Sequence, residues 1–392
     1  MIKTIKVMLI PNNKQKTKLF QYANTSRFAY NWALDKIQEN YKNGNKLVSQ
    51  SNLRKEFTQL KQTEEYQWLN DISNNVTKQA IKDACCAFER FFSGYSEHPK
   101  YKTKKKSTPS FYQGNERIKF TSTHVKVEGF AKNKKRNKQK INWIKLAQRD
   151  RIPTDCKYYN PRIKFDGLNW WITVSIDCQD ATQTSFNNDG IGIDLGVKEL
   201  AVCSDEIIYK NINKSKLVKK IEKKKRRLQR SISRKYENNK KGKSYCKTSN
   251  IIKSEKELLK LHHRLTNIRQ NYLHQTTSEI IKRKPSFICI EDLNVSGMMK
   301  NKYLSKAIQQ QKLYEFRRQI EYKAQWHGIP VIIADRFFPS SKLCSCCGCI
   351  NKNLRLSDRV YICPECGNVI DRDYQAALNL KLYGENVLQS VA

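Results

Sequence analysis

The sequence predicts an α/β fold with a mixed sheet in its second half, preceded by a β-rich first half that carries a helical insertion. Three observations predict it. Turn-bounded alternating runs flank a long stretch of helical periodicity in the first half. Short continuous apolar runs in the second half each end in an acid. Between the last of those runs and the final helical segment lie the paired cysteines Cys344-x2-Cys347 and Cys363-x2-Cys366.

In the first half, Ile2 to Leu9 alternates enough to be a strand, and Pro11 closes it. From about Lys14 to Phe92 the pattern is helical. Phe28, Trp32 and Ile37 share one face, as do Val76, Ala80, Ala84, Phe88 and Phe91, and these read as core. The polar faces carry Lys78, Gln79, Lys82 and Arg90, which could meet phosphate, base edges or only solvent. Two basic runs, YKTKKKS and FAKNKKRNKQK, bracket strand-like pieces such as RIKFTSTHVKV. PRIKFDGLNWWITVSID then reads as a hairpin: Ile163 and Phe165, a turn at Asp166-Gly167, and Trp171 to Ile176. A polar linker from Gln179 to Gly190 marks a boundary.

The second half changes character. GIGIDLGVKELAVCSD gives a buried strand carrying Asp194, a tight turn at Gly196 and a second strand from Leu200 to Cys203, with IIYKN a third. A three-stranded meander with an acid in its first strand is how an RNase H-like sheet begins. Residues 210–243 hold sixteen Lys/Arg and two acids, Glu222 and Glu237, with an apolar seam of Leu217, Ile221, Leu228 and Ile232. Leu258, Leu261, Leu265, Ile268 and Tyr272 form a second seam. Two helices packed antiparallel would bury both seams and leave a basic outer face; a coiled-coil dimer is the alternative. Phe287 to Ile290 is a buried strand ending in Glu291 and Asp292. Helical sequence from Leu304 to Trp326 leads to the buried strand IPVIIAD, and Asp373 opens a last helix to Leu382.

Charge and cysteine usage bound the function. Lys+Arg 75 against Asp+Glu 36 gives a formal net charge of +39, an excess that repels itself unless a polyanion binds, so nucleic acid is the expected partner. No run of about 18 apolar residues occurs, which excludes a spanning helix. Six of the 13 cysteines lie between Cys344 and Cys366 and the others are scattered, a pattern of reduced cytoplasm with one metal site rather than a disulfide scaffold. Four thiolates at this spacing close a tetrahedral shell around Zn²⁺. Cys346 and Cys349 offer a competing pair; Cys344 and Cys347 are preferred because Gly348 follows Cys347 as Gly367 follows Cys366, and glycine relieves a tight knuckle.

Asp194, Glu291 and Asp373 recur in similar settings, each at a strand end or helix start, with Asp371 the competitor of Asp373. Converging carboxylates repel, and their own segments offer no evident arginine partner. Divalent cations resolve the repulsion, and all-oxygen donors beside nucleic acid point to Mg²⁺ or Mn²⁺, two ions acting on one scissile phosphate.

These motifs carry a family resemblance. GIDLGVKELAV, SFICIEDLNVSGM, DRFFPSSKLCSCCG, LSDRVYICPECG and DRDYQAALNL resemble the RuvC-type nuclease motifs of TnpB proteins, the RNA-guided DNA endonucleases of insertion sequences, similar to the smallest type V CRISPR effectors. The match is strongest over about 190–385; IPNNKQ, TSRFAYNWAL, AFERFF and HPKYKTKKKS extend it more weakly to the first half. The resemblance implies a β-barrel wedge domain at 1–180 with a helical recognition insertion at about 14–95. It then implies a RuvC-like domain at 190–392 with a basic helical hairpin at about 210–280 and a zinc ribbon at about 341–370. It implies that Asp194, Glu291 and Asp373 are the catalytic, magnesium-binding triad. It also implies a guide RNA from the element's end, a double-stranded DNA target beside a short transposon-adjacent motif, and a transposase of the same element as candidate partner. Gln375 replaces the family's usual Asn, and CSDEII lacks a usual glycine, but neither change removes a metal ligand. Two rival functions remain: a catalytically silent RNA-guided repressor, which has no need of the three acids, and an unguided structure-specific nuclease, which has no need of the large basic first half.

Overall fold

The computed structural model describes residues 2–44, 48–131, 140–178, 189–242, 244–355 and 358–391. They form two compact units, 1–179 and 180–392. Most of the expected linker, and the second basic run at 132–139, lie outside the described residues.

The first unit is a seven-stranded antiparallel sheet: β1 (Ile2–Ile10), β2 (Ser110–Tyr112), β3 (Lys119–Phe120), β4 (His124–Lys126), β5 (Trp143–Leu146), β6 (Tyr158–Phe165) and β7 (Trp170–Asp177), in the order β2-β6-β7-β1-β5-β4-β3. Inward side chains from all seven strands, among them Val7, Phe111, Phe120, Val125, Ile144, Ile163 and Ile172, meet in one buried cluster, so the sheet is strongly curled. Among the described residues no ladder joins β2 to β3, and the expected barrel is an open curled sheet.

Asn12, two residues past the end of β1, starts the helical insertion. Its side chain accepts from the Gln15 N–H at 2.9 Å while the Gln15 side chain accepts the Asn12 N–H at 2.9 Å, a capping box on α1 (Asn13–Lys42). The first turns of α1 cover the sheet with Leu19 and Tyr22. The rest packs with α2 (Gln50–Leu60) and α3 (Asn74–Phe92) around Leu34, Phe57, Leu69, Ile81 and Phe88. The aromatics expected in the core are there, with Phe28, Trp32 and Phe91 at its margin.

The second unit is built on β8 (Ile191–Leu195), β9 (Glu199–Cys203), β10 (Ile208–Lys210), β13 (Ile288–Glu291) and β14 (Val331–Ala334), in the order β10-β9-β8-β13-β14. The meander β8-β9-β10 is antiparallel, and β13 runs parallel to both β8 and β14. This is the mixed sheet the sequence leads one to expect. Between β10 and β13 stand α4 (Lys216–Asn238) and α5 (Ser249–Lys282), joined by the two-residue strands β11 (Lys240–Lys241) and β12 (Ser244–Tyr245). The helices are antiparallel: Glu222 meets Arg269, whereas Lys235 meets Ser254. Their shared seam holds Val218, Ile221, Leu261 and Leu265. Leu217, expected in that seam, is 49% exposed, because the helix starts at Ser215 with a phase that turns Val218 inward instead.

After β13 come α6 (Val295–Met298), α7 (Ser305–Gln311) and α8 (Leu313–Trp326). The single helical stretch expected here breaks at Lys312, which adopts the left-handed conformation at φ 57°, ψ 45°. A hairpin of β15 (Val360–Ile362) and β16 (Val369–Asp371) precedes α9 (Arg372–Val391), about twice the expected length. One face of the sheet packs on α5 and α8 through Ile193, Ile290, Ile280 and Phe316. The other receives α9 through Cys289 and Leu380. Among the described residues, no helix is long and apolar enough to cross a membrane.

Candidate active site

Strand periodicity brings the acids together. Successive side chains in a strand alternate faces. Ile191 and Ile193 face α5 and α8, so Gly192 and Asp194 face α9. Ile288 and Ile290 face α5 and α8, so Cys289 and Glu291 face α9. The pairing Ile290↔Ile193 then sets Glu291 beside Asp194 at the same end of neighbouring parallel strands. Helix α9 can lie close because position 192 has no side chain: a Cβ there would fall 2.1 Å from the Ala377 carbonyl oxygen. That approach delivers Asp373. All three acids line one cleft of about 390 Å³, with Lys198, Glu199, Ser341, Arg359 and Arg372.

Asp371 does something else. Its Oδ1 accepts the N–H groups of Asp373 at 2.9 Å and Tyr374 at 3.1 Å, which makes it the cap of α9. Asp292 is likewise committed elsewhere, paired with Arg317 at 2.7 Å and with Arg336.

Burial, reinforced by the charges of Glu291 and Asp373, raises the Asp194 carboxyl well above the usual range, while Arg372 pulls it down. Burial raises Glu291 too, and the hydroxyl of Ser340, donating to its Oε1, works against that. The expectation of no arginine within these segments is wrong. Arg372, next to Asp373 in sequence, pairs with it at 3.1 Å, and Arg359 approaches at 3.8 Å. Arg372 was readable in the DRD stretch. Arg359, in SDRVY, was not, because only the hairpin β15-β16 brings it back to the acid.

The donor set fits a divalent cation. Three carboxylates offer hard oxygens, and burial raises both members of the pair on β8 and β13, with the neighbouring acids adding to the rise at Asp194. The cysteines form a second, softer set. The Sγ atoms of Cys344, Cys347, Cys363 and Cys366 all lie within 4.8 Å of one another. Gly348 and Gly367 have φ of 74° and 70°, and each donates its N–H back to the first cysteine of its knuckle, at 3.0 and 3.1 Å. Backbone N–H groups of Cys366 and Glu365 hold the Cys363 thiol down at about 6, favouring thiolate. Cys346 is exposed, and Cys349 sits in the small core under the knuckles with Tyr361. The four sulfurs suit a tetrahedral Zn²⁺ shell.

The first unit holds a second cleft, of about 640 Å³, lined by Arg54, Lys61, Gln62, Asn70, Asn74 and Lys78 among others. Of the polar residues left open by sequence, Lys78 faces this cleft, whereas Gln79 donates to Asp83 at 2.9 Å and orients it toward Arg162. In the first basic run, Lys102 lies 3.5 Å from the centre of the Tyr30 ring, while Lys104, Lys105 and Lys106 are exposed.

An RNase H-like mixed sheet with carboxylates on β8, β13 and the final helix defines the class of this protein. The chain is similar to proteins of the TnpB family. Residues 173–302 match the family model described as "Probable transposase", residues 314–380 the "Cas12f1-like, TNB domain", and residues 1–46 a "Helix-turn-helix domain". Over that last range the structure is a strand followed by one long helix. A candidate RNA-guided DNA endonuclease of Streptomyces pristinaespiralis is 28% identical over 97% of this chain and 89% of its own length. InsQ of Escherichia coli K12, also named a candidate RNA-guided DNA endonuclease, is 28% identical over 99% of this chain and 93% of its own. The cryo-EM structure of a Cas12f1–sgRNA–target DNA complex shares the fold, with a TM-score of 0.61 and 16% identity over 97% of this chain and 98% of that one.

Proposed function

We propose that this protein is an RNA-guided, divalent-metal-dependent endonuclease that cuts DNA beside a short flanking motif. The observation that carries the reading is the convergence of Asp194, Glu291 and Asp373 on one cleft. The names of its relatives support the guided activity. Asp194, Glu291 and Asp373 would hold Mg²⁺ or Mn²⁺, and ions there supply Lewis acidity, an activated water and stabilisation of the leaving oxygen. Arg359 and Arg372 neutralise part of the cleft's charge and can pair with the phosphates flanking the cut. Cys344, Cys347, Cys363 and Cys366 would close around a structural zinc.

Backbone binding is assigned to the outward faces of α4 and α5, where Lys219, Lys223, Arg226, Arg230, Lys256 and Lys260 are exposed. Reading of the flanking motif is assigned to the cleft of the first unit, whose amides and cations are the donors that recognise base edges. Sequencing the RNA that copurifies with the full chain tests the guided part. One defined species is expected; a random cellular mixture would leave an unguided nuclease.

A further inference from the structure

The two chemistries of the C-terminal region are joined by a chain of buried hydrogen bonds. Ser340 is 3% exposed, and its hydroxyl donates to Glu291 Oε1. Its backbone is fixed in turn. Asn379 on α9 donates its Nδ2 to the carbonyls of Ser340 and Leu343, both at 2.7 Å. Gln375, one turn earlier on the same helix, donates to the Leu343 carbonyl at 2.6 Å and accepts from the Ser345 hydroxyl at 3.0 Å. Leu343 and Ser345 flank Cys344, a member of the four-sulfur cluster. Gln375 and Asn379 are fully buried. Asn379 Oδ1 has no partner among the described residues, so the amide sits there for its donor end.

Helix α9 thus presents Asp373 directly and holds, through two amides, the loop whose serine aims Glu291. A carboxylate at a strand end has two free torsions beyond Cβ, and a fixed hydroxyl selects one orientation. The same two amides hold the backbone just before the first cluster cysteine, and Gln375 also takes the hydroxyl of the residue just after it.

We propose that Ser340 is a positioning residue for Glu291, and that Gln375 and Asn379 couple it to the cysteine cluster, so that closing the cluster around its metal sets the geometry of the carboxylate cleft. This rests on the nuclease reading of that cleft. It also explains a glutamine at position 375, whose side chain is long enough to reach from α9 to both Leu343 and Ser345.

The test uses the full chain with its copurified RNA, and reads Mn²⁺ binding by loss of the free-ion paramagnetic signal, zinc content after a fixed chelator challenge, and cleavage. Ser340→Ala is expected to retain zinc and its melting temperature while Mn²⁺ affinity and cleavage fall roughly 10- to 100-fold, as for other groups that orient a ligand. Ser340→Thr, which keeps the hydroxyl, restores most of both. Gln375→Leu is expected to lose zinc faster and to bind Mn²⁺ more weakly. Ser340→Gly removes the same hydroxyl and repeats the test should Ser340→Ala misfold. Wild-type Mn²⁺ affinity without the hydroxyl, or a Ser340→Thr variant as weak as Ser340→Ala, overturns the positioning role. Faster zinc loss with unchanged Mn²⁺ binding in Gln375→Leu overturns the coupling. Asp194→Ala separates the two levels: if it binds Mn²⁺ as the wild type does, the nuclease reading itself fails.

Discussion

Asp371 and Asp373 are two residues apart and chemically identical, yet the structure gives them different roles. One spends its oxygen on the first N–H groups of α9, and the other looks into the cleft. Asp371→Ala should therefore cost about 1 kcal/mol of stability through the lost cap and leave cleavage within a few-fold. Asp373→Asn should keep the fold and abolish cleavage; melting curves and a cleavage assay on both variants decide it. The sequence favours Asp373 over Asp371, but the capping role of Asp371 was not legible, because which acid caps depends on where the helix starts, and the hairpin β15-β16 fixes that. Lys323 is a second case. Its ammonium is buried among the His274 carbonyl, the Thr277 hydroxyl and the Ser278 hydroxyl, and burial lowers its pKa to about 8. The unfolded chain holds that proton to about 10.5, so between those values the unfolded state binds more protons and stability rises with pH. Lys323→Met should remove that rise, worth about 1–3 kcal/mol once solvent screening is allowed for, from denaturation curves taken across pH 8 to 10.5.

Elements with a continuous apolar run or a repeating apolar seam were legible because their patterns have one solution. The runs at β8, β13 and β14 read directly as parallel or mixed-sheet strands, and the seams of α4 and α5 as an antiparallel pair. The strand-like stretch RIKFTSTHVKV holds β3 and β4, but β2 was not legible, since a three-residue strand is defined by its partner and not by its own pattern. The break at Lys312 and the full length of α9 were missed for the same reason: tertiary contacts, not propensity, end or extend those helices. Gly192 is the element-scale test. Gly192→Ala puts a carbon 2.1 Å from the Ala377 oxygen and 2.4 Å from the Lys381 nitrogen, both backbone atoms that cannot swing aside. It should push α9 off β8, destabilise by about 1–3 kcal/mol and depress cleavage beyond what the stability loss explains. Denaturant midpoints alongside cleavage rates measure both.

For the whole molecule, the net charge of +39 made a polyanion the expected partner before any motif was read, but it did not say where binding would fall. The structure distributes that charge unevenly: ion pairs such as the mostly buried Arg269–Glu222 and the half-exposed Arg162–Asp83 consume some cations internally, and the outer faces of α4 and α5 keep theirs exposed. Replacing Lys219, Lys223, Arg226 and Arg230 together by Gln should weaken nucleic-acid binding and flatten its salt dependence. The slope of log affinity against log salt should fall by roughly one for each phosphate no longer neutralised. An unchanged slope would move the binding face elsewhere.

In the proposed reaction, three carboxylates on β8, β13 and α9 cut DNA chosen by a bound RNA. The measurement that tests it most directly is cleavage of a DNA duplex matched to the copurified RNA, in Mg²⁺, by the wild type and by Asp194→Ala. Cleavage at a fixed position by the wild type, none by the variant, and none on an unmatched duplex is the predicted result. Equal cutting by Asp194→Ala, or equal cutting of matched and unmatched duplexes, would contradict it.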